Sequence, residues 1–132
     1  MNKSVVFCLI DDDDIYQYTF TRKLKRTNIP KKILVFSDGE EAIDFMSDNL
    51  SNIAEIPDII FLDINMPVMD GWEFLEEFVK LKPKVGKEVT LYMVSSSVDP
   101  RDMERAQKIS AVSDYLIKPV TETQILELMT KM

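Results

Sequence analysis

Four hydrophobic runs in this chain each end on a residue able to carry charge or a proton. Val5-Val6-Phe7-Cys8-Leu9-Ile10 leads into Asp11-Asp12-Asp13-Asp14, and Ile59-Ile60-Phe61-Leu62 into Asp63. Val89-Thr90-Leu91-Tyr92-Met93-Val94 is followed by Ser95, and Tyr115-Leu116-Ile117 by Lys118. A side chain just past a buried strand stands at the carboxyl edge of a sheet, where open α/β folds bind ligands. Carboxylates gathered there repel one another, so one must be protonated or a cation must lie among them. Hard oxygen ligands that leave room for water and phosphate oxygens suit Mg2+. With a metal and a lysine neutralising the group in transit, a carboxylate can itself be the nucleophile and become an acyl phosphate. The chain has no histidine, which removes the commonest general base, the commonest metal ligand and any phosphohistidine carrier. Its chemistry runs on carboxylates, hydroxyls and lysine.

These residues need strands to hold them, and the hydrophobic period supplies five. Short β-branched runs at about 4–10, 32–36, 58–62, 89–94 and 114–117 alternate with stretches of helical spacing at 14–26, 38–49, 71–81, 100–109 and 122–131. Strands joined by helix-length crossovers are parallel, and a parallel sheet needs helices on both faces. The fold class is therefore α/β, a doubly wound five-stranded parallel sheet with five helices. Asp38-Gly39 and Asp70-Gly71 punctuate the starts of the second and third helices, and Asp99-Pro100 offers a cap and first-turn proline to the fourth. Trp72, Leu75, Phe78 and Val79 form the expected core stripe of the third helix, and Ile125, Leu128, Met129 and Met132 that of the last. The stretches 48–57 and 82–87 read as surface loops. If the sheet has the flavodoxin-like order 2-1-3-4-5, Asp11, Asp12 and Asp63 converge where the winding reverses, beside Ser95 and Lys118.

Composition bounds the possible partners. At 132 residues and 15.3 kDa the chain is expected to form one domain over 1–132 with a single core and no room for a second, output domain. A net charge of -7 argues against binding nucleic acid by neutralising its phosphates. No apolar stretch is long enough to span a bilayer and Met1-Asn2-Lys3-Ser4 does not open a signal peptide, so the expected location is the cytoplasm. Cys8, the one cysteine, lies within an apolar strand and reads as packing.

The sequence resembles a response-regulator receiver domain of two-component signalling, in the single-domain manner of a chemotaxis regulator, over nearly its whole length. The resemblance rests on the paired Asp11 and Asp12, on Leu62-Asp63-Ile64-Asn65-Met66-Pro67 with Met69-Asp70-Gly71, on Ser95, and on Lys118-Pro119. It implies that Asp63 is the phosphoacceptor and that Mg2+ is held by Asp12, Asp63 and the Asn65 carbonyl, with Asp11 contacting a metal-bound water. It further implies that Ser95 is the switch hydroxyl, that a cis proline follows Lys118, and that Tyr115 is the aromatic whose rotamer reports the active state. The implied donor is a histidine kinase or histidine phosphotransfer protein carrying phosphohistidine. The implied output is a changed face of helix 4, strand 5 and helix 5 for a downstream protein, from a monomer or a phosphorylation-dependent dimer. Such a protein is no enzyme beyond its own phosphorylation and dephosphorylation. Asn65 and Ser97 are the places to look for control of acyl-phosphate lifetime. Two departures stand out: Ser110-Ala111-Val112-Ser113 replaces the usual small Gly-Ala pair, and Ser95 the commoner threonine.

Blander readings compete for single residues. Asp13 and Asp14 read better as cap and first-turn acids of a helix than as ligands. Lys118 or Ser95 alone would pass for a solvated charge and a loop hydroxyl, and Trp72 and Tyr115 for ordinary core and boundary aromatics. A magnesium-dependent phosphatase of the haloacid dehalogenase type is a rival from another class, but Asp63-Ile64-Asn65 lacks its second acid and no cap insertion is visible. A receiver-like module that never takes phosphate is the third possibility. An EF-hand fails for want of the central glycine and terminal glutamate.

Overall fold

A computed structural model describes residues 5–130. The strands are β1 (Val5–Ile10), β2 (Pro30–Phe36), β3 (Ile59–Asp63), β4 (Thr90–Ser95) and β5 (Val112–Ile117). Between and after them lie α1 (Asp14–Arg26), α2 (Gly39–Asp48), α3 (Gly71–Leu81), α4 (Pro100–Gln107) and α5 (Glu122–Thr130). The five strands form one sheet in the order β2-β1-β3-β4-β5, with every pairing parallel. Winding thus reverses between β1 and β3, as expected of a doubly wound sheet.

Alternation along the strands decides which helices cover which face. Phe7, Leu9, Ile59, Phe61, Tyr92, Val94 and Leu116 pack on one side with Phe20 and Leu24 of α1 and Ile125 and Leu128 of α5. Cys8, Ile10, Ile60, Leu62, Leu91 and Met93 pack on the other with Ala42 and Met46 of α2, Phe74, Leu75 and Phe78 of α3, and Ala106 of α4. Burial pushes the Cys8 thiol well above its usual range, so it is the inert packing residue the sequence indicated. No helix among the described residues is long and apolar enough to cross a membrane.

The caps fall where the Asp-Gly and Asp-Pro pairs put them. The Asp38, Asp70 and Asp99 side chains accept from Glu41, Glu73 and Arg101 backbone N–H groups, and Asp70 with Glu73 closes a reciprocal capping box. Asp13 caps α1 by accepting from the Ile15 and Tyr16 amides at 2.9 and 3.1 Å, which confirms its helix-start role. Three expectations need correction. The buried stripe of α3 is Gly71, Phe74, Leu75 and Phe78, whereas Trp72 is half-buried and Val79 is 49% exposed. β5 begins at Val112 and β2 at Pro30, each two residues early, because an edge strand needs less apolar sequence and tolerates a first-position proline. Both expected loops contain a 3-10 turn, at Ile53–Glu55 and Lys82–Lys84. Met132 lies outside the described residues.

One backbone position between β3 and α3 is strained. Val68 has a φ of 65° at the centre of a three-residue γ-turn that the Met69 N–H closes on the Pro67 carbonyl at 2.7 Å. A β-branched residue disfavours this region strongly, and Val68 is 72% exposed, so its side chain loses little when removed. Val68→Gly should raise stability by about 0.5–1 kcal/mol, the left-handed penalty being partly offset by glycine's entropy. Urea unfolding checks this; a lower midpoint would show that the turn carries no strain.

Candidate functional site

Strand register brings the four chemically active ends to one edge of the sheet. Asp63 lies opposite Val94 and Ser95 opposite Ile117, while the Asp11 N–H continues the β1–β2 ladder by donating to Phe36 O at 3.0 Å. Asp11 follows Phe7 and Leu9 in parity, Asp63 follows Ile59 and Phe61, and Lys118 follows Leu116, so all three belong to the α1 and α5 face. Ser95 follows Leu91 and Met93 on the other.

Parity therefore gathers the acids around the lysine. Carboxylate oxygens of Asp11, Asp12 and Asp63 lie within 4.8 Å of one another. Lys118 Nζ donates to Asp11 Oδ2 at 2.7 Å and lies 3.4 Å from Asp63 Oδ1. Asp11 is 1% exposed and Asp63 7%, with Asp12 exposed at the rim. One ammonium cannot neutralise three carboxylates. Burial, with the Asp11 carboxylate behind it, pushes the Asp63 carboxyl up to about 6 despite Lys118. Burial pulls the Lys118 ammonium down, but its bonds to Asp11 and attraction to Asp63 outweigh that, leaving its pKa raised and the group charged.

Neighbours hold these groups in place. Asp11 Oδ1 accepts from the Asp13 N–H at 2.9 Å, and the Gln17 side-chain amide donates to the Asp11 carbonyl. The Lys118 N–H donates to Ser95 O at 2.9 Å, and the Lys118–Pro119 peptide bond is cis, as the resemblance implied. Ser95, 1% exposed, accepts on Oγ from the Ser97 N–H at 3.0 Å. Ser97 in turn donates its hydroxyl to Asp102 of α4 at 3.0 Å and accepts on its carbonyl from the Tyr115 hydroxyl at 3.0 Å. Tyr115 is thus already half-buried here, packed beside the α2, α3 and α4 cluster. Asn65 is exposed two residues past Asp63. Asp14 is exposed in the first turn of α1, apart from the acid cluster.

The residues fit a hard divalent cation. Three carboxylates converge on one point, two buried and one at the rim, with excess negative charge and an acid whose proton affinity is already raised. What sequence reasoning passed over is Tyr16. Its ring lies with the Lys118 ammonium 4.2 Å from its centroid and stacks on Phe20. Tyr16, Phe20 and Leu24 recur at helical spacing, a signal that could have marked this face of α1 as core but not its reach to the sheet edge.

Comparison with known proteins agrees with this geometry. The family described as "Response regulator receiver domain" matches residues 7–130. A two-component response regulator from Cytophaga hutchinsonii superposes with a TM-score of 0.87 at 32% identity, covering 98% of this chain and 97% of that one. The receiver domain of a histidine kinase from Arabidopsis thaliana, complexed with Mg2+ and BeF3-, has a TM-score of 0.77 at 27% identity over 96% of this chain and 90% of that one. A sensor histidine kinase from Helicobacter pylori is 33% identical over 110 residues, which are 83% of this chain and 13% of the kinase. The chain spans as little as 6% of the hybrid kinases it matches, against 73% of a probable methanogenesis regulatory protein from Methanothrix harundinacea. Sheet order, acid cluster, lysine and family match coincide over the same residues, and the chain belongs to the response regulator receiver domain family of phosphoacceptor signalling domains.

Proposed function

We propose that this chain is a phosphorylation switch in which Asp63 accepts a phosphoryl group from the phosphohistidine of a histidine kinase or phosphotransfer protein. The observation that carries this is the placement of Asp63, almost buried, among Asp11 and Asp12 with Lys118 3.4 Å away. An Asp63 oxygen attacks phosphorus in line with the donor imidazole, the P–N bond breaks, and the acyl phosphate forms. Lys118, 3.4 Å from Asp63, neutralises charge on the transferring group. Asp12, Asp63 and the Asn65 carbonyl would hold Mg2+, with Asp11 reaching it through water. Bound there, Mg2+ supplies charge neutralisation to the phosphoryl oxygens. The chain catalyses nothing beyond its own phosphorylation and dephosphorylation.

The acyl phosphate adds roughly one negative charge and new acceptor oxygens. Ser95 Oγ accepts from Ser97 but donates to no group among the described residues, so its proton is available to a phosphoryl oxygen. Moving Ser95 pulls on Ser97, which is bonded to both Tyr115 and Asp102. The same displacement therefore reaches β5 and α4, changing the face of α4, β5 and α5 that a downstream protein reads. Tyr115, half-buried and bonded to the Ser97 carbonyl before phosphorylation, then turns further inward. We place the protein in the cytoplasm, with output through that partner, a dimer or onward relay of the phosphate.

Incubation with Mg2+ and a small phosphodonor tests the central step. One acid-stable, base-labile phosphate should appear on the peptide containing Asp63, and should vanish when EDTA is added. Incorporation on another residue, or undiminished by EDTA, overturns the assignment. The ion has its own check. Asp12→Ala should weaken Mg2+ binding by at least about 10- to 100-fold, since loss of even an outer-shell partner costs that much. Calorimetry measures it directly. Equal affinity in the variant would remove Asp12 from the ligand set.

A further inference from the structure

The Tyr16 side chain sits at the edge of the acid cluster without belonging to it. Its ring meets the Lys118 ammonium at 4.2 Å, while Asp11 Oδ2 and Asp63 Oδ1 lie 2.7 and 3.4 Å from the same nitrogen. The ammonium is therefore enclosed by two carboxylates and one aromatic face. An aromatic ring presents its negative quadrupole to a cation in this arrangement, most effectively where water is excluded. The ring is itself braced. Tyr16 stacks on Phe20 at 5.5 Å with an interplanar angle of 12°, and Phe20, 1% exposed, meets Phe61 edge-on at 4.9 Å. Phe61 precedes the proposed phosphoacceptor by two residues on the same face of β3.

The Tyr16 hydroxyl has no role in this arrangement. Among the described residues it is the one buried side-chain polar atom without a hydrogen-bond partner. Burial, and then the charges of Asp11 and Asp63, push the phenol well above its usual range, so it stays protonated and neutral. A buried hydroxyl left unpaired costs stability unless the rest of the side chain earns its place.

We propose that Tyr16 is a positioning residue whose ring confines the Lys118 ammonium over Asp63, ready for the incoming phosphoryl group. This rests on the phosphoacceptor reading above. Lysine carries four rotatable bonds and loses much freedom when held in one geometry. Its two carboxylate partners are to be shared with a metal, which weakens their hold on it when the ion binds. The aromatic face is the contact that metal binding leaves untouched. The ring, not the hydroxyl, does this, so phenylalanine should replace tyrosine and an aliphatic side chain should not.

The test compares Tyr16→Phe, Tyr16→Leu and, should leucine pack poorly, Tyr16→Met. Two readouts are taken on each folded variant. The first is the NMR shift of the Lys118 side-chain protons in the metal-free protein, which a ring face moves upfield. The second is the rate of phosphate uptake from phosphoramidate with saturating Mg2+. The wild type and Tyr16→Phe should show the upfield shift and uptake rates within about twofold of each other, with Tyr16→Phe melting higher because the unpaired hydroxyl is gone. Tyr16→Leu and Tyr16→Met should lose the shift and slow by about five- to tenfold, as expected of a lost cation–π contact in a desolvated site. Aliphatic variants that lose the shift yet take phosphate at the wild-type rate overturn the proposal, as does an ordinary Lys118 shift in the wild type. A wild type that shows the shift but takes no phosphate sinks the phosphoacceptor reading and, with it, any part for Tyr16 in transfer.

Discussion

Asp63→Asn is expected to cut phosphate uptake by about three orders of magnitude or more, the scale on which removing a nucleophile acts. The amide keeps the size of the carboxylate but cannot attack phosphorus. The same substitution should make the metal-free protein more stable at neutral pH. The sign follows from the direction of the shift. Asp63 in the fold has its pKa raised from 3.8 to about 6, so the ionised carboxylate is less favourable in the folded chain than in the unfolded one. Below the unfolded value both states are protonated and Asp63 has no effect. As pH rises toward the folded value a penalty develops, and above it the penalty is constant. After discounting for solvent at the rim it amounts to about 1–2 kcal/mol. Asparagine removes it. The melting temperature of the metal-free variant should therefore exceed that of the wild type by roughly 3–8 °C at pH 7.5 and by much less at pH 4. Saturating Mg2+ should stabilise the wild type and close much of the gap. Equal melting temperatures at pH 7.5 without metal would mean that the acids do not repel one another as their spacing requires.

Gly71→Ala is expected to destabilise the fold by about 3 kcal/mol, near the upper end of what overpacking costs. A Cβ at Gly71 would lie 2.6 Å from the Asp63 carbonyl oxygen and 2.9 Å from Ile64 Cα. Both are backbone atoms at the end of β3. The Gly71 N–H meanwhile donates to Ile64 O at 2.7 Å, so α3 and β3 cannot separate without breaking that bond. Something must shift, and what shifts carries the Asp63 carboxylate. Mg2+ affinity and phosphate uptake should fall together with stability. Gly86→Ala is the control: its Cβ would meet only the Ile53 Cδ1 methyl end at 2.8 Å and Cγ1 at 3.5 Å, a flexible side chain. It should change stability by less than about 1 kcal/mol and leave metal binding intact. Urea unfolding and calorimetry on both variants measure the contrast, and a Gly71→Ala protein as stable as Gly86→Ala would refute the close approach. Neither glycine has a positive φ, so left-handed strain does not distinguish the two substitutions.

Much of the site could be read from residues because a strand end is a local signal. Asp11, Asp63, Ser95 and Lys118 each follow an apolar run, and a parallel sheet aligns such ends whatever the loops do. The helix caps at Asp38, Asp70 and Asp99 were equally local. What escaped was set by distant packing. In α3 Leu75 and Phe78 were read correctly, but Trp72 and Val79 were taken in place of Phe74 because all three are large and apolar, and only the sheet decides which of two overlapping stripes is buried. Tyr16 drew no notice because an aromatic in the first turn of an amphipathic helix looks like ordinary core. Its partner Lys118 lies just past the end of β5, far along the chain, and no spacing rule links them. The Ser97 bonds to Tyr115 and Asp102 were hidden for the same reason, being made between loop, strand and helix.

The bond from Lys118 to Asp11 joins residues 107 apart in sequence, from the first strand end to the last. A nascent or partly unravelled chain holds the acids without their counter-ion until β5 has docked at the sheet edge. Competence to receive phosphate is thus tied to the docking of the last strand, and a chain in which β5 has come away keeps its acids but not the ammonium that faces them.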